Sequence, residues 1–219
     1  MTVQEPTRNR TVLVLLDPAT EVRSSVLELF TIARSLGRVE AVALEAPTVE
    51  VLAQLGAYGV ETVHQAELPP SYTGDARHLP VVVGAALAAA VRRTDADVVL
   101  APATFAAKEA SALAAQRLGA GLIIDAAGVR EDAEGRIVGA KRVFAGAWDT
   151  ESRVTTDLAV LTVRSNAVVP EPAPAAVATE VEGFAVEVEG PVPAVVSRTP
   201  KDRTSGRPSL EEAAIVVAG

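Results

Sequence analysis

Apolar and polar positions alternate in blocks along the chain, and the blocks change character about halfway. The run TVLVLLD (11–17) is continuously apolar up to its final aspartate, the pattern of a strand buried on both faces of a parallel sheet. Val22, Val26, Leu29, Phe30, Ala33 and Leu36 then fall on one helical stripe, with Thr20 as its expected cap and Gly37 as its stop. RVEAVALE (38–45) reads as a second strand, and Pro47-Thr48 opens a short helix that closes near Gly56. VETVHQ (60–65) reads as a third strand. A turn-rich loop (69–77) leads into a helix over 79–93, ADVVLAP (96–102) is a fourth buried strand, and a helix runs from Thr104 to Leu118. Strand and helix in strict alternation predict right-handed βαβ units.

After Gly121 the helices stop. GLIIDAAGV (121–129) and RIVGAKRVF (136–144) flank the turn EDAEG (131–135), and SRVTTDLAVLTVRS (152–165) follows with no helix between. These three runs predict an antiparallel extension continuing the sheet. The Pro/Ala-rich stretch 168–180 is expected to be extended, FAVEVE (184–189) to be a strand with its acidic side out, and PVPAVVSRT (191–199) an edge strand. The fold class expected is α/β: a three-layer sandwich on a mostly parallel sheet, with an antiparallel strand extension.

The domain boundaries follow from the same pattern. Residues 1–10 form a polar tail, 11–199 the α/β domain, 200–208 a charged, turn-rich linker, and 209–219 the first strand of a further domain. That last expectation rests on AIVVAG at the terminus, since a buried parallel strand is not stable as a lone final segment.

Composition narrows the chemistry. The 219 residues include no cysteine, which excludes disulfides, thiolate metal sites and thiol nucleophiles. A net charge of −8 argues against a nucleic-acid surface. The longest apolar run, 80–91, is well short of the roughly 20 residues that span a bilayer, and the polar N-terminus carries no signal core, so a cytoplasmic location is expected.

No phosphate-loop, serine-elbow or HExxH pattern is present, and the single G-x-G, Gly119-Ala120-Gly121, leads into a strand rather than a helix. His64 and His78 lie 14 residues apart with no acidic partner at ligand spacing, and both are expected at the surface. Asp17 and Asp125 follow strand ends, where α/β folds place ligands, although turn and cap roles suit them as well. Lys141, Arg142 and Arg164 are either a small anion site or solvated charges. Phe144 and Trp148 flank FAGAWD and serve either as interface anchors or as cover for the hairpin.

The order of segments resembles the alpha subunit of electron-transfer flavoproteins. The carrying motifs are TVLVLLD with the helix ending IARSLG, LAQLGAYGVETVHQ (52–65), DVVLAPATFAAKEASALAAQRLGAGLIIDAAGV (97–129), KRVFAGAW (141–148), TVRSNAV (162–168) and GRPSLEEAAIVVAG (206–219). Ala107, Ser165 and Val168 depart from the family's usual glycine, proline and aromatic.

The resemblance implies an adenine nucleotide alpha hydrolase-like sandwich serving as the N-terminal scaffold of a heterodimer with a beta subunit and one FAD. It also implies electrons arriving from acyl-CoA-type dehydrogenases and leaving towards a quinone oxidoreductase of the respiratory chain. It implies a carrier rather than a catalyst, with no catalytic and no metal-binding residue in this chain. Gly219 borders the family's FAD loop, so the fragment alone is expected to bind no FAD and, with its partner face open, to self-associate. The alternative is an adenine-nucleotide-binding module of the universal-stress-like type, with phosphates near Asp17 or 101–104.

Overall fold

A computed structural model describes residues 10–197 together with residues 199, 215 and 217. The expectations for the N-terminal tail up to residue 9, the linker and the final strand with Gly219 lie outside the described residues. The first strand, β1 (Thr11–Leu16), is buried at all six positions. It is followed by α1 (Ser24–Leu36), β2 (Arg38–Ala43), α2 (Val49–Ala57), β3 (Val60–Glu67), α3 (Pro80–Thr94), β4 (Val98–Pro102), α4 (Phe105–Leu118) and β5 (Gly121–Ala126). An arm of three strands comes next, β6 (Gly128–Glu131), β7 (Ile137–Val143) and β8 (Trp148–Arg153). The chain then returns as β9 (Ala159–Val163) and β10 (Glu180–Ala185).

The main sheet has seven strands in the order β10-β3-β2-β1-β4-β9-β5, and every neighbouring pair is parallel. Its two faces carry separate cores, because successive side chains of a strand point to opposite sides. Val12, Val14 and Leu16 pack with Phe30 and Leu36 of α1 and Leu55 of α2. Leu13 and Leu15 pack on the other side with Val83, Leu87, Ala110 and Ala114 of α3 and α4. This is the three-layer α/β sandwich expected. The alanine-rich composition matters most between α3 and α4, where a Cβ on Gly84 would stand 2.9 Å from the Ala110 carbonyl oxygen.

The structure corrects several local expectations. The run 152–165 is not one antiparallel strand. Its first part closes β8, while Ala159–Val163 inserts between β4 and β5 as a central parallel strand. All five β9 residues are buried, and two buried faces exist only inside the sandwich. The antiparallel strands β6-β7-β8 therefore form their own sheet rather than extending the main one. The run 121–129 is likewise two strands, broken at Ala127, and Asp125 at φ 57° lies in the register shift of β5 just before the break.

Helix α1 starts at Ser24, not after Thr20, because residues 17–20 form a turn containing the cis Asp17–Pro18 bond. The last strand among the described residues is Glu180–Ala185 rather than 184–189, although Phe184 and Val186 are buried as the alternation required. Residues 191–197 form no strand.

Several other local expectations hold. Thr48 and Thr104 cap α2 and α4 through their hydroxyls. The 131–135 turn closes as expected, with Gly135 at φ 77° and the Asp132 carboxylate accepting from the Glu134 and Arg136 amides. The Pro/Ala-rich stretch runs extended across α1 and α2. The Ala173 and Val177 amides donate to the Ala57 and Gly56 carbonyls, and Arg34 donates to the Glu171 carbonyl. Among the described residues, no helix is long and apolar enough to cross a membrane.

Candidate functional site

Strand order reverses between β1 and β4, and open α/β sheets bind ligands beyond the carboxyl ends of the strands at such a point. Asp17 stands there. Its carboxylate lies 2.5 Å from Nδ1 of His78, which ends the 3₁₀ helix Gly74–His78. From the β4 side come Pro102 and Thr104, whose hydroxyl is occupied in accepting the Ala107 amide at 3.1 Å. Together with Leu15 and Val83 these residues line a cleft of about 30 Å³, the room of a single water.

Asp125 lies further along the same edge of the sheet, at the end of β5. Its carboxylate pairs with Lys108 Nζ at 2.7 Å, and its amide donates to the buried Thr162 hydroxyl at 3.0 Å. The Lys108 ammonium also sits 5.4 Å from the ring centre of Phe105, which is 90% exposed. Each strand-end carboxylate thus has its own cationic or hydrogen-bonding partner. Neither is open to a ligand anion, and a phosphate entering the β1–β4 crevice would face the Asp17 carboxylate.

The two histidines correct the expectation of unpartnered surface residues. His78 is half-buried against Asp17. His64 is 4% exposed, and its Nε2 lies 2.7 Å from the equally buried Glu40 on β2. Arg38 holds the other Glu40 oxygen at 2.9 Å, and Glu182 of β10 stands 4.0 Å from His64 Nδ1 while pairing with Arg93. The Arg93 contact holds the Glu182 carboxyl below its ordinary pKa. Sequence spacing missed this cluster because its members come from four elements. The available signal was a glutamate and a histidine inside otherwise apolar strands, since a polar group at such a position needs a partner.

Among the described residues no group of three or more His, Asp and Glu side chains converges as a metal site. Arg142 pairs with Asp149 at 2.9 Å, which raises the guanidinium pKa and lowers that of the carboxyl, and Arg164 is exposed. Arg142 is a paired, solvated charge on β7 of the arm, and Arg164 directly follows β9 of the main sheet. A second cavity, of about 230 Å³, opens at the opposite, amino-terminal end of the sheet between Arg10, Asp97, Arg136 and Thr156. The arm is anchored beside it by the buried Arg10–Glu131 ion pair at 2.6 Å and by Arg10 donating to the Gly135 carbonyl.

Phe144 and Trp148 do not cover the hairpin. They stand 80% and 64% exposed at the tip of the arm.

Comparison with known proteins adds the context that geometry alone does not. The electron transfer flavoprotein domain family matches residues 11–189. The chain is 36% identical over 199 residues to the electron transfer flavoprotein subunit alpha of Mycobacterium leprae (strain TN), covering 88% of this chain and 58% of that protein. It is 35% identical over 186 residues to the protein of the same name from Mycobacterium tuberculosis (strain CDC 1551 / Oshkosh), covering 84% and 54%. The chain thus spans little more than half the length of these relatives.

Proposed function

The chain belongs to the electron transfer flavoprotein family, and we propose that it forms the amino-terminal scaffold of an alpha subunit. In this reading it pairs with a beta subunit in a heterodimer carrying one FAD. The carrier takes electrons from acyl-CoA-type dehydrogenases and delivers them, through a quinone oxidoreductase, to the respiratory chain. Its location is cytoplasmic. The single observation that carries the reading is the family match itself, which extends from the first residue of β1 past the end of β10 and so covers the whole sandwich and its arm.

The described residues do not fit FAD. The crevice at the strand reversal holds about 30 Å³, against the roughly 300–1,000 Å³ of ordinary ligand pockets. The Asp17 carboxylate also lines that crevice, where its charge would repel a pyrophosphate. The same two facts weigh against an adenine-nucleotide-binding module. The role supported for the described residues is mechanical: a rigid sandwich that positions a partner and a flavin held by other sequence. The isoalloxazine supplies the redox chemistry when bound, and no step of it is assigned to this chain.

The test is co-expression of the protein with a beta subunit. The expected product is a yellow heterodimer whose visible absorbance bleaches on reduction. A colourless heterodimer that takes up no added FAD overturns the proposal. Residues 1–219 alone are expected to retain FAD at most very weakly, and tight stoichiometric retention would refute the scaffold role.

A further inference from the structure

His64 sits in the middle of β3 with a neighbouring strand on each side. In the parallel register it stands opposite Val42 of β2 and Glu182 of β10. Val63 belongs to the core beneath α1 and α2, so alternation turns His64 to the other face, beneath α3. There Val42, Ala66 and Phe184 pack with Leu87, Ala90 and Val91 of that helix, an apolar layer in which an imidazole depends on its few polar partners. The charged groups that face it are Glu40 and Arg38 from β2, Glu182 from β10 and, through Glu182, Arg93 from α3.

These partners fix where the ring carries its hydrogens. A carboxylate only accepts, so Nε2, 2.7 Å from Glu40, is a donor. In a neutral imidazole that leaves Nδ1 bare, with a lone pair that needs a donor of its own. Nδ1 is buried and makes no hydrogen bond among the described residues, and the Glu182 carboxylate stands 4.0 Å from it. A bare Nδ1 is thus an unsatisfied acceptor opposed by a negative charge, whereas a protonated one is attracted to that charge. The ring cation also neutralises Glu40, the buried carboxylate of the cluster. Glu182 supplies its negative charge because the Arg93 contact, with a smaller contribution from His64, holds its carboxyl below the ordinary pKa.

Strand β10 is the element most sensitive to that attraction. It lies at the edge of the sheet and pairs with β3 alone. Of its six residues only Phe184 is buried, and residues 187–197 form no strand that could hold it from beyond. An edge strand with so little buried side chain opens locally at low cost. From this geometry we propose that His64 is a proton-operated latch on β10. With hydrogens on both ring nitrogens it ties Glu40 of β2 to Glu182 of β10 across β3. Loss of the Nδ1 hydrogen keeps the Glu40 bond but turns the contact with Glu182 from attraction to repulsion. β10 then loosens, baring the edge of β3, while the core stays folded. The latch is closed while His64 carries its second proton and opens as rising pH removes it. Acid strong enough to protonate Glu182 opens it again, so β10 is held best between the ordinary carboxylate and imidazole ranges.

The experiment uses the whole 219-residue chain and reads hydrogen exchange by mass spectrometry in the peptide spanning 180–186, which includes the Val186 amide that donates to the Glu67 carbonyl. Rates are compared at about pH 5.5 and about pH 8.5, either side of the ordinary imidazole range, after correction for the intrinsic pH dependence of exchange. Opening of β10 is expected to rise about 10-fold at the higher pH, with β1 equally protected at both. His64→Gln can still donate to Glu40 but holds no titrating proton, and is expected to open to the high-pH level at both pH values. Glu182→Gln, at a half-exposed position that leaves the buried His64–Glu40 pair intact, should also lose the dependence, and it keeps the test decisive if the first variant fails to fold. Arg93→Gln should raise opening at both pH values and preserve their ratio. In a His78→Gln background His64 is the chain's one histidine, and its ring ¹⁵N signals are expected to show Nδ1, not Nε2, losing its hydrogen between the two pH values. Equal opening of the wild type at both pH values overturns the latch. A ratio that survives in His64→Gln or Glu182→Gln, or titration at Nε2, overturns it as well.

Discussion

Gly56 offers a direct test of how the extended stretch 168–180 is held against the sandwich. It lies in the last turn of α2, where alanine in place of glycine normally stabilises a helix by up to about 1 kcal/mol. Here a Cβ would collide with the Val177 carbonyl oxygen, a backbone atom that cannot swing aside as a side-chain end can. Moving it also stretches the hydrogen bond from the Val177 amide to the Gly56 carbonyl, 3.0 Å in the native fold. Overpacking of this kind costs about 1–3 kcal/mol and a weakened hydrogen bond about 0.5–1.5 kcal/mol. After the helix gain is offset, Gly56→Ala is expected to destabilise by about 2 kcal/mol, which lowers Tm by roughly 4–8 °C in a chain of this size. Thermal unfolding followed by circular dichroism reads the global effect. Hydrogen exchange at the Val177 and Ala173 amides reads the local one, expected to quicken by about 30-fold. Gly128→Ala is the control, because a Cβ there meets only the Ala140 methyl at 3.9 Å. A Gly56→Ala protein as stable as wild type, with unchanged exchange at Val177, would refute the claim that this close approach holds the stretch in place.

Three further substitutions follow from other parts of the fold. His64→Ala leaves the buried Glu40 carboxylate with Arg38 alone and is expected to cost about 3 kcal/mol in urea unfolding; the double variant His64→Leu/Glu40→Leu should cost clearly less, and equal costs would argue against a coupled pair. Asp125→Val places a β-branched residue at φ 57° and breaks the Lys108 pair, so it should lose about 2 kcal/mol by the same measure, whereas Asp125→Gly, which relieves the backbone, should lose under about 1 kcal/mol. The Asp132 carboxyl is held below its ordinary pKa, chiefly by the Arg136 amide. A depressed folded-state pKa contributes stability that is full above the unfolded value and fades as pH falls through the carboxylate range towards the folded one. Asp132→Ala should therefore flatten the decline of Tm on acidification below about pH 4, and a wild-type slope in the variant would contradict this assignment.

The first half of the fold was legible because each element announces itself locally. A continuous apolar run such as 11–16 suits only a two-sided strand, and Thr48 and Thr104 cap their helices with atoms three residues away. The second half was harder for a physical reason. The five residues of β9 carry the same buried-strand pattern wherever they insert, and only the gap left between β4 and β5 selects their place. The family was legible too, through six motifs in order, and the comparisons agree with that reading.

The candidate site divides in the same way. Asp17 and Asp125 were marked by their positions at strand ends, but their partners His78 and Lys108 come from elsewhere in the chain. The His64–Glu40 cluster escaped notice because spacing along a chain says nothing about which residues of neighbouring strands face each other. By itself the sequence determined the sandwich, its capped helices and its family, since these rest on periodicity and short-range bonds. Only the tertiary structure decided where β9 inserts, which carboxylates are already partnered, and that Phe144 and Trp148 point into solvent. Those outcomes depend on register and on contacts between distant segments, which the one-dimensional pattern leaves open.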